Sequence, residues 1–189
     1  PTTVHWHGVY LPNGMDGVSG LTQRPIPPGG TFKCEMTLRQ HGTYMYYSHH
    51  DTMTQEGMGL IGMFIIHPRE PSPGYRVDRD FAIMLSEWRI DPGTYRPDSN
   101  EMNDFNVLTM NGKAYPGTEA LVARMGDRIR IRLGNLSQTD HHPIHLHGLF
   151  QHHRHRRRAG PRSGAVAGDV GARRRGSDAR HRVRRQRAR

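Results

Sequence analysis

Residues 141–148 read His-His-Pro-Ile-His-Leu-His-Gly, with histidines at 142, 145 and 147 separated by apolar residues. In an extended strand, side chains two residues apart share a face. His145 and His147 therefore point one way and His142 the other, and one strand is placed to serve two separate metal sites. Neutral imidazole is the commonest side-chain ligand for copper, zinc, iron or nickel. A lone His-x-His pair is more often an exposed or internally bonded pair than a ligand set. Here it has company: His5 and His7 in Thr-Val-His-Trp-His-Gly, and Tyr47-Ser48-His49, where a tyrosine stands in the first place of a third pair.

Working outward, the chain has the grammar of strands and turns. Pro1–Gly8 reads as a strand carrying His5 and His7 on one face. Residues 11–30 form a long loop rich in turn residues, including Asn13-Gly14, Asp16-Gly17 and Pro27-Pro28-Gly29-Gly30. Thr31–Leu38 and Gly42–Ser48 alternate in polarity and predict adjacent antiparallel strands. Gln55–Gly62 holds a literal GxGxxG, but no βαβ unit surrounds it, so a dinucleotide site is excluded. The glycines there predict close approach to neighbouring chain segments. Met63–Ile66 is a short strand, and the Pro- and Gly-rich stretch after it predicts a linker at 71–80. Strand signals resume at Phe81–Ser86 and Val107–Met110. Ala120–Arg124 and Arg128–Leu133 predict a hairpin, with Ile129, Ile131 and Leu133 on one face. Short strands, frequent turns and almost no helical periodicity predict an all-β chain of β-sandwich domains, the first over 1–70 and the second over 81–150.

Charge is unevenly spread. Residues 151–189 hold fourteen Arg and two Asp, whereas the first 150 residues carry 13 basic and 15 acidic groups. The basic balance of the chain thus belongs to its last 39 residues, and the body gives no reason to expect nucleic acid as a partner. Those residues contain no Leu, Ile, Met or aromatic residue, and such a composition predicts a disordered tail. Two origins fit it: a basic arm, weakened as a nucleic-acid binder by the lack of stacking aromatics, or an out-of-frame reading of GC-rich DNA, which is the preferred expectation. Cys34 is the single cysteine, excludes an intrachain disulfide, and reads as a small residue packed in a strand. No run of 18 apolar residues predicts a membrane span, and no signal peptide is visible.

His-Trp-His-Gly, then Tyr-Tyr-Ser-His-His-Asp with a Gly/Met-rich stretch after it, then His-Pro-Ile-His-Leu-His-Gly, together resemble the copper signatures of the multicopper oxidases, the laccase-like enzymes. The resemblance covers residues 1 to about 150. It implies cupredoxin-like Greek-key β-sandwich domains, truncated at both ends: the first lacks N-terminal strands and the second lacks C-terminal strands. It implies a blue type 1 copper that collects single electrons and a three-copper cluster, held by four His-x-His pairs, where oxygen is reduced to water. By resemblance His5 and His145 hold the type 2 copper, His7, His49 and His147 serve the type 3 pair, and His142 is a type 1 ligand; no catalytic residue beyond the copper ligands is implied. Two departures stand out. Tyr47 replaces a cluster histidine, and phenol, with a pKa of about 10, is a poor neutral ligand. The family's His-Cys-His motif is absent, and with it the type 1 thiolate, for which Cys34 is misplaced. About 90 residues separate His49 from His142, too few for a middle sandwich of about 100 residues. That spacing resembles the two-domain laccases, homotrimers whose cluster forms between neighbouring subunits. The implied partners are oxygen and a small phenolic or metal-ion reductant, and the implied location is secreted or periplasmic. The alternative is a non-catalytic copper-binding or copper-resistance protein, in which methionines such as Met53, Met58 and Met63 are soft Cu(I) ligands.

Overall fold

The computed structural model describes residues 1–147 in full, and the backbone of the strands at 150–154 and 167–174. A first sheet contains β1 (Val4–His7), β2 (Gly42–Ser48) and β3 (Ile61–Ile66), antiparallel in the order β1-β2-β3. One short helix, α1 (Thr52–Gly57), lies between β2 and β3. A second sheet has the order β5-β4-β6-β8-β7, with β4 (Arg79–Trp88), β5 (Val107–Met110), β6 (Arg128–Asn135), β7 (Phe150–Arg154) and β8 (Ala167–Arg174). β4 and β6 run parallel and the other neighbours antiparallel.

Register decides what the first sheet presents. His5 faces Tyr47 and His7 faces Met45 across β1–β2, while Met45 faces Met63 and Tyr47 faces Ile61 across β2–β3. Directly paired residues share a face, so His5, His7, Met45 and Tyr47 line one side. Trp6, Tyr46 and Phe64 line the other, with ring centroids 5.7 Å (Trp6–Tyr46) and 5.2 Å (Trp6–Phe64) apart. Gly62 faces Tyr46, and a Cβ there would lie 2.4 Å from the Tyr46 ring. The close approach expected of the GxGxxG glycines is thus real at this position.

The second sheet departs from a purely apolar core. Leu85 and Ile131 are buried, but so are Arg130 and Arg132 on the other face of β6. Both arginines converge on Asp80 of β4, and Arg132 also donates to Thr43 Oγ1 on β2. A buried ion cluster therefore fastens the second sheet to the first.

Several sequence expectations change. Residues 31–40 form no strand: most of their side chains are exposed, and alternation without a partner edge does not make a strand. Cys34 lies in that stretch and is exposed rather than packed. Residues 120–124 form no hairpin with β6, because β6 takes β4 and β8 as its partners; Leu121 and Val122 stay exposed. His141–His147 is a loop and not a strand; Pro143 has no N–H to give a ladder. Within the basic tail, 151–154 and 167–174 are strand: β8 pairs with β6 and β7 with β8 through the backbone, an interaction that needs no apolar side chain. Residues 155–166 and 175–189 lie outside the described residues.

Candidate metal centre

Three imidazoles and a phenol crowd the polar face of the first sheet. The His5 ring centroid lies 5.9 Å from that of His7, 5.3 Å from Tyr47 and 5.4 Å from His49. Tyr47 and His49 are stacked at 6.3 Å. All four side chains are partly buried.

Hydrogen bonds orient two of the imidazoles. His5 Nδ1 is 2.8 Å from the Asp16 carbonyl oxygen and 3.3 Å from Asp16 Oδ1. An N–H at Nδ1 donating there leaves Nε2 as the ligating atom, the arrangement usual for metal-bound histidine. Gly17 makes this contact possible. It has φ +76°, and a Cβ would lie 1.8 Å from the Val4 carbonyl oxygen, so only glycine lets the turn rest on β1. His7 Nδ1 stands 3.0 Å from Tyr47 Oη. Burial, and then the charge of His5, holds the His7 imidazole below its ordinary pKa. Burial, then the carboxylates of Glu56 and Asp16, pushes the Tyr47 phenol up. Burial also raises Glu56, which the neighbouring His49 partly offsets.

A cavity of about 570 Å³ opens between the two sheets against this face. His7, Met45, Tyr47, His49, Met53 and Glu56 line it from the first sheet and α1; Glu87, Trp88, Met102, Ser137 and Gln138 line the opposite wall. Glu87 is buried and holds the histidine-bearing loop. Its Oε1 accepts from the Thr139 and Asp140 amides at 3.2 and 3.1 Å. Its Oε2 makes no hydrogen bond among the described residues and lies 3.6 Å from His142 Nε2. His142 Nε2 is also 2.5 Å from Ser137 Oγ. Serine and carboxylate address the same nitrogen, so this is no acid–base relay; it leaves Nδ1 of His142 for a ligand.

The predicted site residues thus fall into three places. His5, His7 and His49 come together. His145 and His147 come together separately, both exposed, with centroids 4.6 Å apart. His142 stands beside Glu87 and Ser137; with no strand over 141–147, the parity expected of the three histidines has no strand to act through. Among the described residues no three His, Cys, Asp or Glu side chains converge to hold one ion, and no ring contact joins the first set to His145 or His147. The sequence reading missed Asp16, Glu56 and Glu87. Asp16-Gly17 was visible only as a turn, and nothing local marks Glu56 or Glu87.

Two family models, both described as multicopper oxidase, match residues 1–71 and 91–169. The chain belongs to the multicopper oxidase family. Copper resistance protein A of Escherichia coli is 45% identical over 87 residues, 46% of this chain and 14% of that protein. The crystal structure of a multi-copper oxidase from Pseudomonas thermotolerans matches with a TM-score of 0.78 and 26% identity, over 95% of this chain and 46% of that one. That of the blue copper oxidase from Nitrosomonas europaea matches with a TM-score of 0.72 and 32% identity, over 90% of this chain and 54% of that one. The chain therefore spans about half the length of these structures, and its sheets are those of the cupredoxin fold.

The donor chemistry fits copper in the first-sheet site, where imidazoles, that of His5 with its tautomer set by Asp16, face a cavity with a largely apolar lining. It does not fit a blue copper at His142. That centre requires a thiolate, and the one cysteine, Cys34, is exposed in the 31–40 stretch. Among the described residues, no helix is long and apolar enough to cross a membrane.

Proposed function

We propose that this chain is the copper-binding portion of an oxidase that couples one-electron oxidation of phenolic or metal-ion substrates to the four-electron reduction of oxygen to water. The observation that carries the reading is that the His5 ring lies 5.9 Å from His7 and 5.4 Å from His49, beside a cavity wide enough for small molecules. Copper bound there would supply the redox chemistry. The chain's own residues do the rest: Asp16 fixes the His5 tautomer, burial disfavours the protonated form of His7, and Glu56 is a protonatable group at the cavity wall. His145 and His147 would complete the cluster from a neighbouring subunit, in a homotrimer, since within one chain they stand apart from the first set. No step is assigned to His142, for want of a thiolate. An exported location follows the same reading.

A second reading is favoured by the E. coli relative's name and by the missing thiolate: copper binding in resistance, without turnover. Copper titration by calorimetry, paired with an oxygen-electrode assay using a phenol and ferrous ion, separates the two. Oxygen uptake that depends on copper and on His5, His7 and His49 supports the oxidase. Copper binding without oxygen uptake supports the second reading, and no copper binding refutes both.

A further inference from the structure

We infer that Tyr47 is itself a copper ligand, its phenol oxygen and His7 Nδ1 closing on one Cu(II) ion in the first-sheet site. The inference rests on the copper reading above. Tyr47 lies across from His5 in the β1–β2 register, on the ligand face, and its Oη is 3.0 Å from His7 Nδ1. Two donors on one first-row ion, each about 2 Å from it and near a right angle, stand about 3 Å apart. At this separation an ion about 2 Å from each atom sits about 40° off the line between them, so it can take the place of the proton once both rings turn to aim their donors at it. Asp16 Oδ1 lies 3.3 Å from His5 Nδ1, and Glu56 lines the same cavity as Tyr47; carboxylates so placed favour a dication. On binding, the phenol O–H bond breaks, the Cu–O bond forms and the proton leaves to solvent through the cavity; no electron changes hands. Mixed nitrogen and oxygen donors suit tetragonal Cu(II), and a hard oxygen disfavours Cu(I), so the oxidised ion is preferred.

The test is a Cu(II) titration of the full chain, read by visible absorption and resonance Raman beside calorimetry. The expected result is a phenolate-to-copper charge-transfer band that grows with the first equivalent. The band is lost in Tyr47→Phe and in Tyr47→His, both of which still bind copper through imidazole. Copper binding by the wild type without the band overturns the assignment and leaves the copper reading standing. So does a band that survives in Tyr47→Phe. Failure of the wild type to bind copper at all overturns both. Matching circular dichroism spectra for the three proteins separate loss of the band from loss of fold.

Discussion

Replacing Arg132 by Met tests the buried ion cluster that joins the two sheets. The Arg132 side chain is 0% exposed. It donates through Nε to Asp80 Oδ1 at 2.7 Å, through Nη2 to Asp80 Oδ2 at 2.6 Å and through Nη1 to Thr43 Oγ1 at 2.9 Å. Methionine keeps the apolar stem and removes the charge, leaving Asp80 with Arg130 alone at 3.2 Å. Removing one partner of a buried pair costs about 3–5 kcal/mol. Asp80 keeps 27% side-chain exposure and a second arginine, which places the loss at the lower end, about 3 kcal/mol. With a urea m-value of about 2 kcal/mol/M, the unfolding midpoint falls by about 1.5 M. Asp80→Asn should cost less in the Arg132→Met background than in the wild type, because it then strands one buried arginine, Arg130, rather than two. Trp6 and Trp88, one at each sheet, report the two separately when each is studied with the other replaced by Phe. In Arg132→Met the two transitions should separate, since Thr43 on β2 has lost its donor from β6. A midpoint shift below about 0.3 M, or strict additivity of the two substitutions, would refute the cluster's role.

The same cluster sets a pH dependence. Burial pushes the Asp80 carboxyl up, but hydrogen bonds and charge from Arg132, then Arg130, outweigh it and hold the group below its ordinary value. Its contribution is therefore complete above the unfolded pKa of about 3.9 and is lost as pH falls through the depressed folded value; acid unfolding should begin at higher pH in Arg132→Met. Gly17→Ala forces a side chain into φ +76° against the Val4 carbonyl, so stability should fall by about 2 kcal/mol or more and copper affinity with it, both measurable in one titration series. Glu87→Ala removes the acceptor of the Thr139 and Asp140 amides and should destabilise by about 1–3 kcal/mol, with faster hydrogen exchange at those two amides as the direct readout. Copper-loaded protein should show no intense thiolate-to-copper band, because Cys34 is exposed in the 31–40 stretch rather than set beside a histidine site; a deep blue colour would contradict this. The locus around codon 150, read in all three frames, should contain a His-Cys-His strand, and its absence would leave the Arg-rich segment as the genuine continuation.

What the sequence displays well is whatever a short window can hold. His5 and His7 two apart, and Gly42–Ser48 with its alternation, set the strand pair and the ligand face, because register follows from which side must face the cavity. Contacts between distant segments have no such local mark. Asp16 reaches His5 only because Gly17 lets a turn lie on β1, and Glu87 reaches the 139–142 loop from a strand some fifty residues earlier. β6 shows the limit most clearly. Its pattern Arg-Ile-Arg-Ile-Arg-Leu reads as an apolar face turned inward and a charged face turned to water. In the structure the charged face is buried too, because Asp80 on the parallel neighbour β4 and Tyr75 supply the partners that water would otherwise give.

Tyr47 belongs to a third class, where the sequence marks the position but not its meaning. Beside the family's pattern it reads as a lost ligand, since a neutral phenol competes poorly with imidazole for copper. The structure keeps the phenol on the ligand face, partly buried, with its oxygen on His7 Nδ1 and two carboxylates nearby. Burial, more than the carboxylates, keeps the proton on the phenol; a dication in the proton's place has to rely on His7 and on Asp16 and Glu56 to offset the same burial. Whether the residue counts as damage or as a donor therefore depends on the charge around it, a property of Asp16, Glu56 and the fold that brings them there.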